Sequence, residues 1–190
     1  MPDVLEFAEL PRDCWRQIFA HDRPVAIEIG PGRGEFLTAS ARDDPTRNFY
    51  AIERSASRTR EIAARLARAE VQNARVITGD AACLIEWLPP ASVAAFHVLF
   101  PDPWWKRRHH KRRLWTAPFV AALARVLVPD GTLELVTDVG DYFAVAQAAL
   151  SAEPRLTVVC VGEADALETS FARKARRRGA TLHRSLHRRR

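Results

Sequence analysis

EIGPGRGEF, residues 28–36, closes a short apolar run and decides how the rest of the chain reads. Glycines at 30, 32 and 34 let the backbone turn sharply and approach a ligand closely, with a helix N-terminus expected directly after them. The run that feeds this loop, VAIEI (25–29), has the pattern of a strand buried in a parallel sheet. A dinucleotide fingerprint G-x-G-x-x-G would set its third glycine at 35, where this chain has Glu35. G-x-G-x-G after an acidic residue suits an S-adenosylmethionine pocket better than a pyrophosphate pocket. A tight strand-to-helix turn without a ligand has the same composition, so the loop alone leaves the ligand open.

Working outward, FYAIE (49–53), RVITG (75–79), AAFHVLF (94–100), TLELVTD (132–138) and LTVVCV (156–161) read as further strands of a buried parallel sheet. Between them, SRTREIAARLARAE (57–70), TAPFVAALARVLV (116–128) and DYFAVAQAALS (141–151) carry apolar residues at helical spacing. Pro118 suits a first helical turn, and Pro129-Asp130-Gly131 stops that helix before the next strand. This alternation predicts an open, doubly wound, mostly parallel α/β sheet. At 190 residues, 47% of them apolar, one domain over 1–190 is expected, and global disorder is excluded. A last strand around Thr181–Leu186 is only weakly signalled.

No apolar run approaches the roughly 18–20 residues of a membrane span. The acidic opening MPDVLEFAELPRD lacks the pattern of a secretory signal. Cys14, Cys83 and Cys160 are scattered and form no C-x-x-C pair. That spacing argues against a disulfide scaffold or zinc site and predicts a cytoplasmic protein. His109 and His110 are adjacent rather than four apart, so no metal pair is expected.

The net charge of +6 is unevenly placed. KRRHHKRR (106–113) carries six Lys/Arg and residues 173–190 carry nine, with no acid in either; the remainder has 14 basic and 23 acidic residues. A basic excess confined to two places is the footprint expected for a polyanion such as RNA. The tail at 173–190 reads equally as a solvated, frayed basic segment. Beside the first tract, FPDPWW (100–105) supplies two tryptophans for stacking on unpaired bases, or alternatively two core side chains. Glu53, Asp80, Asp102 and Asp138 all fall at the ends of inferred strands, the edge where α/β sheets bind ligands. Glu53 is suited to accept from ribose hydroxyls and Asp80 to sit beside an adenine. Each carboxylate taken singly is also a plausible helix N-cap.

Together, EIGPGRGEFL, FYAIE, ITGD, FPDPWWKRRHHKRRL and VTD resemble the bacterial tRNA (guanine-N7)-methyltransferase family over residues 25–152. The resemblance implies a class I, Rossmann-like methyltransferase fold and S-adenosylmethionine as cofactor. It implies cofactor contacts at Glu28, Gly30, Gly32, Gly34, Glu53, Asp80 and Asp102, and methylation of guanosine 46 in the tRNA variable loop. Lys106 and Asp138 match tRNA-binding positions, and Thr169, Ser170, Phe171 and Ala172 align with the family's T-K-F-E motif. Ser170 replaces its lysine and Ala172 its glutamate, and the R-G-x-x-x-G region that follows becomes RKARRRG. The segment before the first strand is shorter than the family's usual one.

Guanine N7 offers an in-plane lone pair and loses no proton on methylation, so the chemistry asks for positioning rather than a general base. A carboxylate near the guanine favours the developing cation; Asp138 is the first candidate and Asp102 the second. An amino-methyltransferase would carry D/N-P-P-Y where this chain has Pro101-Asp102-Pro103-Trp104. A nicotinamide dehydrogenase conflicts with the glycine spacing. A non-catalytic RNA-binding paralogue is the alternative from another class, motivated by Ala172 and opposed by the intact acidic pocket residues.

Overall fold

The computed structural model describes residues 15–20, 22–104, 108, 113–164 and 168–190. The expected alternation is present as β1 (Val25–Ile29), α2 (Glu35–Asp43), β2 (Asn48–Glu53), α3 (Ala56–Arg68), β3 (Ala74–Thr78), α4 (Ala81–Trp87) and β4 (Val93–Leu99). It continues through α5 (Ala117–Val126), β5 (Leu127–Thr137) and α6 (Gly140–Ser151), with a short α1 (Trp15–Phe19) ahead of β1. The chain closes with β6 (Leu156–Glu163), α7 (Ser170–Arg177) and β7 (His183–Arg189). The strands form one sheet in the order β3-β2-β1-β4-β5-β7-β6. All pairs from β3 to β5 are parallel, and β7 runs antiparallel between β5 and β6.

Alternation along the strands gives the sheet two unlike faces. Ala26, Ala51, Ala74 and Ala95 floor one of them, and these small residues let Leu37 of α2 and Ile62 and Leu66 of α3 pack close to the sheet. Ile27, Tyr50, Ile77 and Phe96 project from the other, against Leu84 of α4, Leu123 of α5 and Leu150 of α6. Crossovers of one hand on each flank bring the carboxyl ends of β1 to β5 to a common edge.

Three expectations about the later elements need correction. The 156–161 run was expected as a buried parallel strand. It is instead the sheet's outer strand, pairs antiparallel with β7, and leaves Val158, Val159 and Val161 exposed. Of the readings open for the tail at 173–190, the frayed one is overturned: α7 runs into it, and the weakly signalled strand around Thr181–Leu186 is present as β7, second from the sheet's edge. That strand's fully buried positions are Ser185 and His187, so apolar periodicity could not announce it; ladder bonds to neighbours on both sides hold it. Finally, α5 stops at Val126, and β5 already includes Pro129-Asp130-Gly131, where Asp130 adopts φ 61° among the extra residues that β5 sets between its pairings with Val93 and Ala95 of β4.

Candidate functional site

The glycine loop leaves β1 through three left-handed residues, Gly30 (φ 71°), Gly32 (φ 57°) and Gly34 (φ 69°). Side chains resist this conformation, and the sequence meets it with glycine each time. Gly30 N–H donates to the Ile52 carbonyl at 3.0 Å and Gly34 N–H to the Pro31 carbonyl at 2.7 Å, fixing both ends of the turn. A methyl group on Gly34 would lie 2.9 Å from the Ile62 side chain, whereas one on Gly30 would meet only open space. The loop is therefore packed from behind at Gly34 and open at Gly30.

Glu28 lies beneath this loop, 4% exposed, and its carboxylate accepts from the Leu37 amide in the first turn of α2. Burial pushes its pKa up to about 8, partly offset by that amide, and its Oε2 has no protein partner. A buried, unpartnered oxygen and an open glycine cradle fit a polar ligand such as the amino-acid end of S-adenosylmethionine.

The other carboxylates follow along the same edge. Glu53, ending β2, is 6% exposed and accepts from Ser55 N–H at 2.8 Å. Asp80 caps α4 through Ala82 N–H at 2.9 Å and faces Arg54 at 3.6 Å, so its N-cap role is real and its second oxygen faces solvent-exposed surroundings. Asp102 is exposed in the turn after β4, where Phe100 (φ 52°) and Trp104 (φ 46°) are left-handed. Phe100 N–H donates to the Val136 carbonyl at 2.7 Å, and Arg113 Nε reaches the Pro103 carbonyl at 3.1 Å, pinning that turn. Burial raises the Tyr142 hydroxyl pKa, and the Asp102 charge adds to the rise. Asp138 is half-buried at the end of β5. Lys106, Trp105, His109 and His110 lie outside the described residues.

The C-terminal motif reaches this edge from a different direction. Thr169 caps α7 by accepting from Ala172 N–H at 3.1 Å, and Ser170 N–H donates to the Glu35 carboxylate, which also faces Arg173 at 3.6 Å. The Phe171 ring stacks on Phe100 at 5.9 Å and covers Gly32, 3.0 Å from where a Cβ would stand. Ala172 is fully buried with Leu99, Val136 and Leu182, so at this position the chain offers substrate no side chain. Sequence reasoning assigned nothing to Glu35 or Phe100. The only signal was that Glu35 breaks the dinucleotide glycine pattern. Among the described residues, no acidic, histidine and cysteine cluster suits a metal, and no helix is long and apolar enough to cross a membrane.

A family model described as a putative methyltransferase matches residues 22–184. A tRNA (guanine-N(7)-)-methyltransferase from Geobacillus kaustophilus is 32% identical over 187 residues, covering 95% of this chain and 86% of the relative. One from Rhodopseudomonas palustris is 46% identical over 120 residues, 63% of this chain; the match spans about half the relative's length (48%). The crystal structure of the 16S rRNA methyltransferase KamB superposes with a TM-score of 0.71 at 19% identity, over 95% of this chain and 94% of that one. That likeness bears on the fold alone.

Proposed function

This chain belongs to the tRNA (guanine-N7)-methyltransferase family, and on that premise we propose that it methylates N7 of the variable-loop guanosine, position 46 of tRNA, from S-adenosylmethionine. The observation that carries the reading is the open glycine cradle over buried Glu28, continued by carboxylates ending successive parallel strands. S-adenosylmethionine supplies an electrophilic methyl group on sulfur. Gly30 leaves the open face it would use, Gly32 and Gly34 shape the turn around it, and Glu28 acts through the loop it anchors. Glu53 is suited to the ribose hydroxyls, and Asp80 and Asp102 to the adenine side.

Because N7 carries no proton, the protein's task is alignment of lone pair, methyl carbon and sulfur, with water kept out. Asp138 orients the guanine and favours its developing positive charge, with Asp102 as the neighbouring carboxylate. Thr169, Ser170 and Phe171 flank the entering base, and Lys106 is assigned to the tRNA by its match to the family. Nothing in the comparisons favours a non-catalytic RNA-binding role. With a tRNA partner and no expected metal, the cytoplasm is the compartment the reading implies. Incubation with methyl-labelled S-adenosylmethionine and unmodified tRNA, followed by mapping of the modified base, tests it. Label on N7 of the variable-loop guanosine is expected; label on another base, or none, overturns it.

A further inference from the structure

The nine Lys and Arg between 173 and 190 separate into two groups with different work. Arg173 and Arg176 pair with Glu35 and Glu168, and Arg184 with Glu134 at 2.6 Å. Arg188 faces Asp130 at 3.8 Å, Arg189 donates to the Leu127 carbonyl, and Arg190 donates to the Thr157 hydroxyl at 2.7 Å. These six have partners within the fold. Lys174, Arg177 and Arg178 are exposed and, among the described residues, touch no acid.

Their spacing, i, i+3 and i+4, puts all three on one face of α7 and its C-cap. At about 100° per residue, that face points away from Ala172 and Ala175, which are buried against Leu99, Val136 and Leu182. The helix is not free to reorient. Its first turn is fastened to Glu35 at the start of α2, and Phe171 rests on Gly32 of the cofactor loop. At about 1.5 Å per residue, the three cations stand some 6–12 Å beyond Ser170.

We infer that Lys174, Arg177 and Arg178 form a fixed phosphate-binding rail that grips the tRNA backbone next to the target guanosine, while the tail's other cations are structural. The inference rests on the tRNA reading above. Three cations that pair with no acid among the described residues, on a helix fastened beside the methyl-donor site, meet a polyanion without breaking any contact described for the fold. Their backbone is already ordered in α7 and its C-cap, so binding costs side-chain freedom only.

The test is tRNA binding by the full chain across 50–200 mM salt, for wild type, the triple variant Lys174→Gln/Arg177→Gln/Arg178→Gln, and Arg184→Gln. Loss of three phosphate contacts shrinks the slope of log K against log salt by about 2.1–2.7, so the wild type's affinity advantage falls by about 20- to 40-fold between those salts. The triple variant should keep its thermal midpoint and its S-adenosylmethionine affinity. Arg184→Gln should lower the midpoint and leave the slope alone. An unchanged slope in a folded triple variant overturns the rail, as does an equal slope change in Arg184→Gln. Wild-type protein that binds tRNA but labels no guanine N7 would sink the activity and not the rail, so the two failures are distinguishable.

Discussion

Burial lifts the Glu28 carboxyl to about 8, so at neutral pH it holds its proton beneath the glycine loop. Between the ordinary carboxylate value of 4.5 and about 8, the folded chain keeps a proton that the unfolded chain has released. Stability therefore falls as pH rises through that window, by at most about 5 kcal/mol from this residue. Glu28→Gln retains an acceptor for the Leu37 amide and removes the titration. Urea unfolding at pH 5 and pH 8 should show wild type losing stability relative to the variant; parallel changes would mean Glu28 is ionised in the native state. Glu53→Ala should weaken S-adenosylmethionine binding by about 1.5–3 kcal/mol, the worth of a charge-assisted hydrogen bond, measured by calorimetry. Unchanged affinity in a folded variant removes Glu53 from the site. Asp138→Asn preserves shape and removes charge. Single-turnover methylation should slow by about 10²–10³-fold with tRNA affinity nearly intact, since affinity resides mainly in backbone contacts. Wild-type rates would end that assignment.

The glycine loop separates two kinds of cost within one element. Gly30 and Gly34 share a left-handed backbone, but only Gly34 is backed by a neighbour, the Ile62 side chain of α3. A methyl group in the left-handed region costs about 1–2 kcal/mol in either place. Gly34→Ala should add overpacking to that and show mainly as a lower thermal midpoint. Gly30→Ala projects its methyl into the open cradle and should show mainly as lost S-adenosylmethionine affinity. Melting curves with and without cofactor separate the two; a Gly30→Ala variant still fully stabilised by cofactor would mean that the ligand lies elsewhere.

At the scale of the whole sheet, β7 is the strand that joins β5 to β6, hydrogen-bonded to both. Arg184 reaches Glu134, and His97 bonds the same carboxylate at 3.0 Å, so the last strand is also tied into the centre of the sheet by charge. Ending the chain at residue 182 removes the partner of β6 and exposes the flank of β5. Thermal unfolding of such a truncation should lose its cooperative transition, and a wild-type midpoint would restore the picture of a dispensable basic tail.

The parallel half of the fold was legible in the chain itself. Apolar runs of five to seven residues alternate with helix-period segments there, and each glycine of the loop after β1 marks a conformation that other residues resist. Both signals are local, so the carboxyl-edge placement of Glu53, Asp80, Asp102 and Asp138 followed from topology before any contact was known. The C-terminal third follows other physics. HRSLHRR becomes an interior strand because two neighbours satisfy its backbone, and α7 meets Gly32 and Glu35 across at least 135 positions of sequence. Composition counts nine tail cations alike. Only the folded chain, by bringing acids, a carbonyl and a hydroxyl to six of them, sets those six apart from Lys174, Arg177 and Arg178.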